Sequence, residues 1–237
     1  MVFIGDVHLS PSAPARTKLF LRFLDVAAAR AQAIVILGDL FDYWVGARQA
    51  TLPEYRDVLH ALQQTAARGC KLFFIAGNRD FHFNGRLTRE LGIEVMPDPR
   101  VVQLDNRRVH LTHGDLLCEG DYAYQRLRKL LRNPLVMAVT RLLPLSVALR
   151  MAQGLRRKSK AEIATKTMAE MDLTPGAVTR VFEGGADVLI CGHVHKPRHE
   201  KQEVAGRRCE LLVVSDWQES ARYVQYENGT FTLATWS

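Results

Sequence analysis

The sequence predicts an α/β fold built on a largely parallel sheet, and three observations carry that expectation. Strand-like apolar runs alternate with amphipathic helical stretches in the order β-α-β-α-β from the first residue. The run AIVIL at 33–37 is uninterrupted, as a strand covered on both faces requires. It stops at Gly38-Asp39, where glycine permits a sharp turn and leaves a carboxylate at the strand's C-terminal tip. In open α/β sheets that tip is where ligands bind. The 237 residues, 47% hydrophobic and 24% charged, suit one domain or one domain with a large insertion, and can bury a full core.

The elements follow in order. MVFIGDVHL at 1–9 reads as a strand ending in Asp6-x-His8. Residues two apart on a strand share a face, with Cα atoms roughly 6–7 Å apart, so both side chains can converge on one ion. The stretch 17–31 reads as a helix, with Leu19, Phe20, Phe23, Leu24 and Ala27 on its apolar face. After the strand leading to Asp39, a helix over 52–68 is bounded by Pro53 at its start and Gly69 past its end. KLFFIA at 71–76 is a third strand, stopping at Gly77-Asn78-Arg79-Asp80. A short helix over 85–91 precedes a hairpin of 101–104 with 108–112 around Asp105-Asn106, and the second strand ends in His113-Gly114-Asp115. GADVLIC at 185–191 is another buried strand, ending in Gly192-His193-Val194-His195. The tail carries strands near 210–214, 221–226 and 230–235, the last pair joined by Asn228-Gly229, a strong hairpin signal.

Charge and cysteine usage narrow the setting. The net charge is +7, yet ten Lys and Arg and no Asp or Glu fall within 122–161, leaving the remainder at −3. One segment is therefore suited to meet an anion. The four cysteines show no CxxC spacing and read as free buried thiols, which suits the cytoplasm, and no secretory signal is visible.

Five apolar strands thus end in DxH, GD, GN, HGD and GHxH. Each motif alone is common at turns; the ordered series points to metal binding. Its side chains offer two carboxylates, four imidazoles and an amide oxygen, a set that suits manganese, iron or zinc. Seven ligands exceed one tetrahedral site but fit two ions sharing a carboxylate. Two-metal sites hold their ions ~3.5–4 Å apart and clamp an in-line displacement at phosphorus. Water bound between two dications is acidified, making hydroxide available near neutral pH to attack a phosphate ester or phosphoanhydride.

Asp6-x-His8, Gly38-Asp39, Gly77-Asn78, His113-Gly114-Asp115 and Gly192-His193-x-His195 together resemble the five motifs of the calcineurin-like metallophosphoesterases. The resemblance implies a β-sandwich flanked by helices. It puts Asp6, His8, Asp39 and His195 on one ion and Asn78, His113, His193 and the shared Asp39 on the other. Most members carry His after the Asn; here it is Arg79. A guanidinium cannot act as an acid but can stabilise developing phosphate charge. GNRDF, with ILGDLFDYWVG, HGDLLCEGDYAYQ and SKAEIATKTMAEMD, is similar to the lipid A branch of that family. Its substrate is the pyrophosphate of UDP-2,3-diacylglucosamine, cleaved to UMP and a diacylated sugar phosphate. That likeness implies two Mn2+ ions, with Asp39, Asn78, Arg79 and His113 as catalytic groups. It also implies substrate contacts from Asn78, Arg79, His193, Asp121, Ser159 and Lys166, with Tyr124 and Arg156 beside them. One family position, usually Asn, is Ile163 here.

The sequence divides into a metallophosphoesterase core, 1–116 and 173–237, and a helical cap insertion, 117–172. Within the insertion a first helix over 121–131 precedes an amphiphilic stretch, 135–155, broken by Arg141, Pro144 and Arg150. Its uncharged runs fall short of the ~20 residues of a membrane span. Two helices lying over an apolar groove or on a membrane surface fit it, and so does a plain hairpin packed on the core. The expectation is a peripheral enzyme on the cytoplasmic face of the inner membrane, with no nucleic-acid partner. A general phosphodiesterase, nucleotidase or phosphoprotein phosphatase is the rival within the same chemistry. Nuclease action, suggested by pI ≈ 9.4, is disfavoured because Tyr122 and Tyr124 are the only aromatics in the basic window, and bases are bound by stacking. A metal-stabilised scaffold without catalysis is the remaining alternative.

Overall fold

Two mixed sheets face each other across an apolar interior in the computed structural model, which describes residues 1–163, 167 and 170–237. In chain order the elements are β1 (Val2–Ile4), α1 (Pro14–Arg30), β2 (Ala33–Ile36), α2 (Arg56–Ala67), β3 (Lys71–Ile75), α3 (Arg86–Glu90), β4 (Ile93–Met96), β5 (Arg100–Leu104) and β6 (Arg107–Leu111). There follow α4 (Tyr122–Leu131), α5 (Pro134–Leu142), α6 (Leu145–Ile163), α7 (Pro175–Glu183), β7 (Val188–Cys191), β8 (Arg198–Val204), β9 (Arg207–Val213), β10 (Ala221–Glu227) and β11 (Thr230–Trp236).

The first sheet runs β11-β10-β1-β2-β3-β4. Its β1 to β4 are parallel, β10 is antiparallel to β1, and the edge strand β11 is antiparallel to β10. The second runs β5-β6-β7-β9-β8, with β6, β7 and β9 parallel and antiparallel edges. Side-chain alternation sorts the cores. Phe3, Val35 and Leu37 face the sandwich interior with Val109, Ile190 and Leu212. Ile4, Ile34 and Ile36 face α1 and α2 with the predicted helix face Leu19, Phe20, Phe23, Leu24 and Ala27. The outer face of the second sheet is covered by Phe182 and Val178 of α7. Burial on both faces is why 33–37 carries no polar residue.

The sequence expectation of one largely parallel sheet thus holds for β1 to β4, while the sandwich implied by the family resemblance describes the whole. Three elements are additional to the sequence reading. β8 is a polar edge strand whose exposed RHEKQEV carries no alternation of apolar residues. β4 is four residues tucked directly behind α3. α7 starts at Pro175 and buries Ala177, Val178 and Phe182. The predicted helix over 52–68 begins with a short 3-10 turn at Pro53–Tyr55 before α2.

The first strand does not reach His8: β1 ends at Ile4, and Asp6 and His8 have φ of 51° and 52°. They converge because both are left-handed turn residues, not because strand alternation puts them on one face. All four cysteines are buried and free. Among the described residues, no helix is long and apolar enough to cross a membrane.

Candidate active site

The strands β1, β2 and β3 of one sheet and β6 and β7 of the other end on the same side of the sandwich, and the loops beyond them meet. Eight non-glycine residues among those described have positive φ, and five of them are Asp6, His8, Asp39, His193 and His195. A left-handed L-residue costs about 1–2 kcal/mol, so this concentration at the strand tips marks strain held in place by its surroundings. The motif glycines make the room. A Cβ on Gly77 would lie 2.2 Å from Asp39 Oδ1, and one on Gly192 would lie 2.4 Å from Asp6 Oδ2. These glycines serve the approach of a carboxylate, a role the sequence reading of a simple turn does not contain.

The seven predicted ligands come together. His8 Nε2 is 3.0 Å from His195 Nε2, and His195 Nε2 is 3.6 Å from Asp6 Oδ1. Asn78 Oδ1 lies 2.8 Å from His113 Nε2 and 3.2 Å from His193 Nδ1. Asp39 stands between these groups. Its Oδ2 is 3.8 Å from His8 Nδ1, and its Oδ1 is 3.7 Å from His113 Nε2. Two sets of donors, Asp6 with His8 and His195, and Asp6 with Asp39 and His113, are each close enough to surround one ion. Asp6 Oδ1 and His8 Nδ1 are buried with no hydrogen-bond partner. Most buried polar atoms find a partner; these two lie within the donor cluster, and a cation fits what they lack. His113 Nδ1–H donates to the Leu37 carbonyl (2.8 Å), which turns the Nε2 lone pair into the cluster, the usual orientation of a metal-binding imidazole.

Protonation tendencies diverge within the cluster. Burial drives His8 well below the ordinary imidazole value, helped by the Arg79 charge. Burial and the neighbouring His113 bring His193 to about 3. Burial opposes charge on His113 too, but Asp39, Asp115 and Asp6 outweigh it and raise that group to about 9. Neutral imidazole is the form that binds a metal; His8 and His193 already favour it, and at His113 a cation would replace the Nε2 proton.

Asp80, to which the sequence reading gives no role, organises the cluster from beneath. It is fully buried and accepts N–H bonds from Asp39 (3.3 Å), Leu40 (2.7 Å), Phe41 (3.4 Å) and Gly77 (2.9 Å). It thereby ties the loop after β2 to the loop after β3. A buried Asp three residues past a strand-ending glycine is the signal that could have revealed it. Asp115 plays the matching part on the other sheet. Tyr124 Oη and Arg128 Nε both donate to its Oδ2, the latter at 2.6 Å, docking α4 against the site. Arg132 of the next turn region donates to the carbonyls of Ala76 (3.1 Å) and Gly77 (2.9 Å).

Arg79 lies beside the cluster. Its Nε is 3.2 Å from Asp39 Oδ2, its N–H donates to Asp39 Oδ1 (3.0 Å), and its Nη1 donates to Asp42 Oδ1 (2.7 Å). A cleft leads away from it under α4, α5 and α6, walled by Trp44, Phe81, Leu131, Leu143, Met151 and Leu155. Asn78, Tyr124, Arg156 and Ser159 line the same cleft. Asp121 sits at the N-terminus of α4, where its Oδ1 accepts the Tyr124 N–H (3.1 Å). Lys166 and the side chain of Ile163 lie outside the described residues. The helices do not form a hairpin buried on the core: none of the residues of α4 or α5 is buried, and of α6 Ala148 belongs to the buried set.

Comparison with known proteins places the chain in a family. The family profile described as calcineurin-like phosphoesterase matches residues 1–197. A UDP-2,3-diacylglucosamine hydrolase of Pseudomonas aeruginosa (strain UCBPP-PA14) is 40% identical over 218 residues, 92% of this chain and 90% of that one. One from Aromatoleum aromaticum (strain EbN1) is 39% identical over 227 residues, 95% and 92% of the two chains. Among solved structures, a phosphoesterase from E. coli is 20% identical, covers 98% of this chain and 90% of its own, and superposes with a TM-score of 0.46.

The Asp80 clamp makes a specific prediction. Asp80→Asn should lower divalent-metal affinity by about 10–100-fold, the usual cost of losing a group that orients ligands. Metal titration by calorimetry on the folded variant reads it, and unchanged affinity would show that Asp80 serves folding alone.

Proposed function

The chain belongs to the calcineurin-like phosphoesterase family, and from that premise we propose that it hydrolyses the pyrophosphate of UDP-2,3-diacylglucosamine in lipid A biosynthesis. The observation that carries the reading is the junction of the seven-donor cluster with an apolar cleft: one end offers imidazole, carboxylate and guanidinium, the other Leu, Met and aromatic walls. A substrate joining a diphosphate to acyl chains matches both ends. The curated relatives carry the name of that hydrolase over nine-tenths of their length.

Asp6, His8 and His195 would hold one divalent ion, Asn78, His113 and His193 a second, and Asp39 both. The oxygen and imidazole donors suit manganese, without excluding other divalent ions. When bound, such ions acidify water and draw charge from phosphoryl oxygens. The chain's own groups do the rest. His113 keeps its Nε2 lone pair aimed by the Leu37 carbonyl. Arg79, which cannot give up a proton, stabilises charge building on the phosphoryl oxygens. The cleft walls orient the diacyl sugar so that the diphosphate lies at the strand tips. Water adds to one phosphorus as the P–O–P bond breaks, leaving two phosphate monoesters, UMP and diacylglucosamine 1-phosphate, and releasing a proton.

The outer surfaces of α4 and α5 support peripheral attachment to the inner membrane. Leu130, Leu135, Val139 and Leu142 are 58–80% exposed, in the segment that carries the ten cations. Each basic residue near an anionic surface contributes ~1 kcal/mol. A general nucleotidase has no use for this apolar face or for the cleft behind it.

Purified protein loaded with manganese should release UMP from UDP-2,3-diacylglucosamine in mixed micelles. Hydrolysis of cyclic nucleotides or phosphoserine peptides with none of the lipid nucleotide would overturn the assignment. Asp39→Ala should abolish turnover. Arg79→Ala should lower kcat on the order of 10²–10³-fold with metal content intact, and a normal kcat would remove its transition-state role. For the membrane, Leu135→Asp with Leu142→Asp should reduce sedimentation with phosphatidylglycerol vesicles; equal binding to wild type would place the contact elsewhere.

A further inference from the structure

We infer that Asp42 is a positioning residue that binds Arg79 of the strand-tip loop and Arg156 of α6 into one pair fitted to two adjacent phosphoryl groups. The inference rests on the proposed function but concerns a side chain outside the ligand set. One carboxylate oxygen, Asp42 Oδ1, accepts from Arg79 Nη1 at 2.7 Å and from Arg156 Nε at 3.0 Å. The Asp42 backbone is itself fixed, its N–H donating to the Leu9 carbonyl at 3.0 Å. All three side chains line the cleft where it meets Asn78.

The chemistry of the arrangement is directional. A guanidinium carries five N–H donors in a planar fork. Asp42 engages one from each arginine and Asp39 lies beside the Nε of Arg79; among the described residues this leaves Nη2 of Arg79 and both terminal nitrogens of Arg156 to meet phosphate oxygens, which a guanidinium matches two at a time. Two guanidiniums brought together repel; a carboxylate between them offsets that repulsion and sets their spacing. Paired forks read a diphosphate, one phosphoryl to each, where a single fork would serve a monoester.

The neighbours of Asp42 extend the same contact. Gln153 Nε2 of α6 donates to Tyr43 Oη (3.3 Å), and Arg48 Nη2 donates to the Arg141 carbonyl of α5 (2.8 Å). Trp44 and Val45, between these contacts, wall the cleft. The segment 42–48 is thus the seat of α5 and α6, and Asp42 links where those helices rest to where Arg79 points.

The test compares Asp42→Asn, Asp42→Glu, Arg156→Gln and the double variant Asp42→Asn/Arg156→Gln, with melting temperature and metal content recorded. UMP release from UDP-2,3-diacylglucosamine is the assay. Asp42→Asn should raise KM by about tenfold or more and lower kcat, and Asp42→Glu should recover most of both. The double variant should have a KM within about twofold of the worse single variant, the non-additivity of groups that act as one. Asp42→Ser removes the charge in the same way if Asp42→Asn does not fold. Wild-type constants in the Asn or Ser variant, or KM effects that multiply in the double variant, would overturn the inference. If the wild-type protein releases no UMP from the lipid nucleotide, the functional reading fails instead. The pairing is then read from the ratio of UDP-glucose to p-nitrophenyl phosphate hydrolysis, which Asp42→Asn should lower and which an independent Asp42 would leave unmoved.

Discussion

Asp39 faces two groups of donors with two different oxygens, Oδ2 toward His8 and Oδ1 toward His113, and the geometry around the strand tips follows from keeping it there. It is buried, and burial raises its pKa against the pull of His113 and Arg79. A carboxylate in that position is stable as an anion only among cations or strong donors. Arg79 supplies a backbone N–H and a guanidinium, the imidazoles supply ligands whose lone pairs need a metal, and the absent Cβ of Gly77 supplies space. The two sheets meet at this residue: β2 carries it, β3 brings Asn78, and β6 and β7 reach it from across the sandwich with His113 and His193.

Such a cluster cannot hold itself. Its side chains hang on left-handed backbone at five positions, and the buried carboxylates beneath them carry the constraint into the scaffold. Asp80 satisfies four N–H groups of two loops at once. Asp6 Oδ2 accepts the His193 N–H at 2.7 Å and so joins the first and last motifs of the chain. Asp98 Oδ1 accepts from the Thr112 hydroxyl (2.6 Å) and the His113 N–H (3.2 Å). Carboxylates also attach the cleft helices, the buried Asp115 to α4 and the partly buried Asp42 to α6. The positioning of the donor cluster and the seating of the cleft are thereby one network rather than two.

Much of this was legible in residues alone. The seven candidate ligands, which the fold brings together, stand out because five unrelated apolar runs all end in oxygen or imidazole donors, a pattern that packing does not ask for. The helix faces of α1 and α2 are legible because burial against a sheet imposes a 3.6-residue spacing. What was not legible depends on contacts between distant segments. β8 is a polar edge with no face to bury, and Asp80, Asp98 and Asp115 look like turn residues until the N–H and guanidinium donors they meet are in place. From sequence Asp6 and His8 read as strand neighbours, since alternation and left-handed turns produce the same DxH spacing and only φ separates them.

The proposed function requires that Asp39 be shared by two ions. Electron paramagnetic resonance of the protein titrated with Mn2+ tests this most directly. Two ions joined through one carboxylate should give an exchange-coupled spectrum as the second equivalent binds, and the Asp39→Asn variant should lack it. A spectrum of isolated Mn2+ at every stoichiometry, in wild type and variant alike, would contradict a shared Asp39.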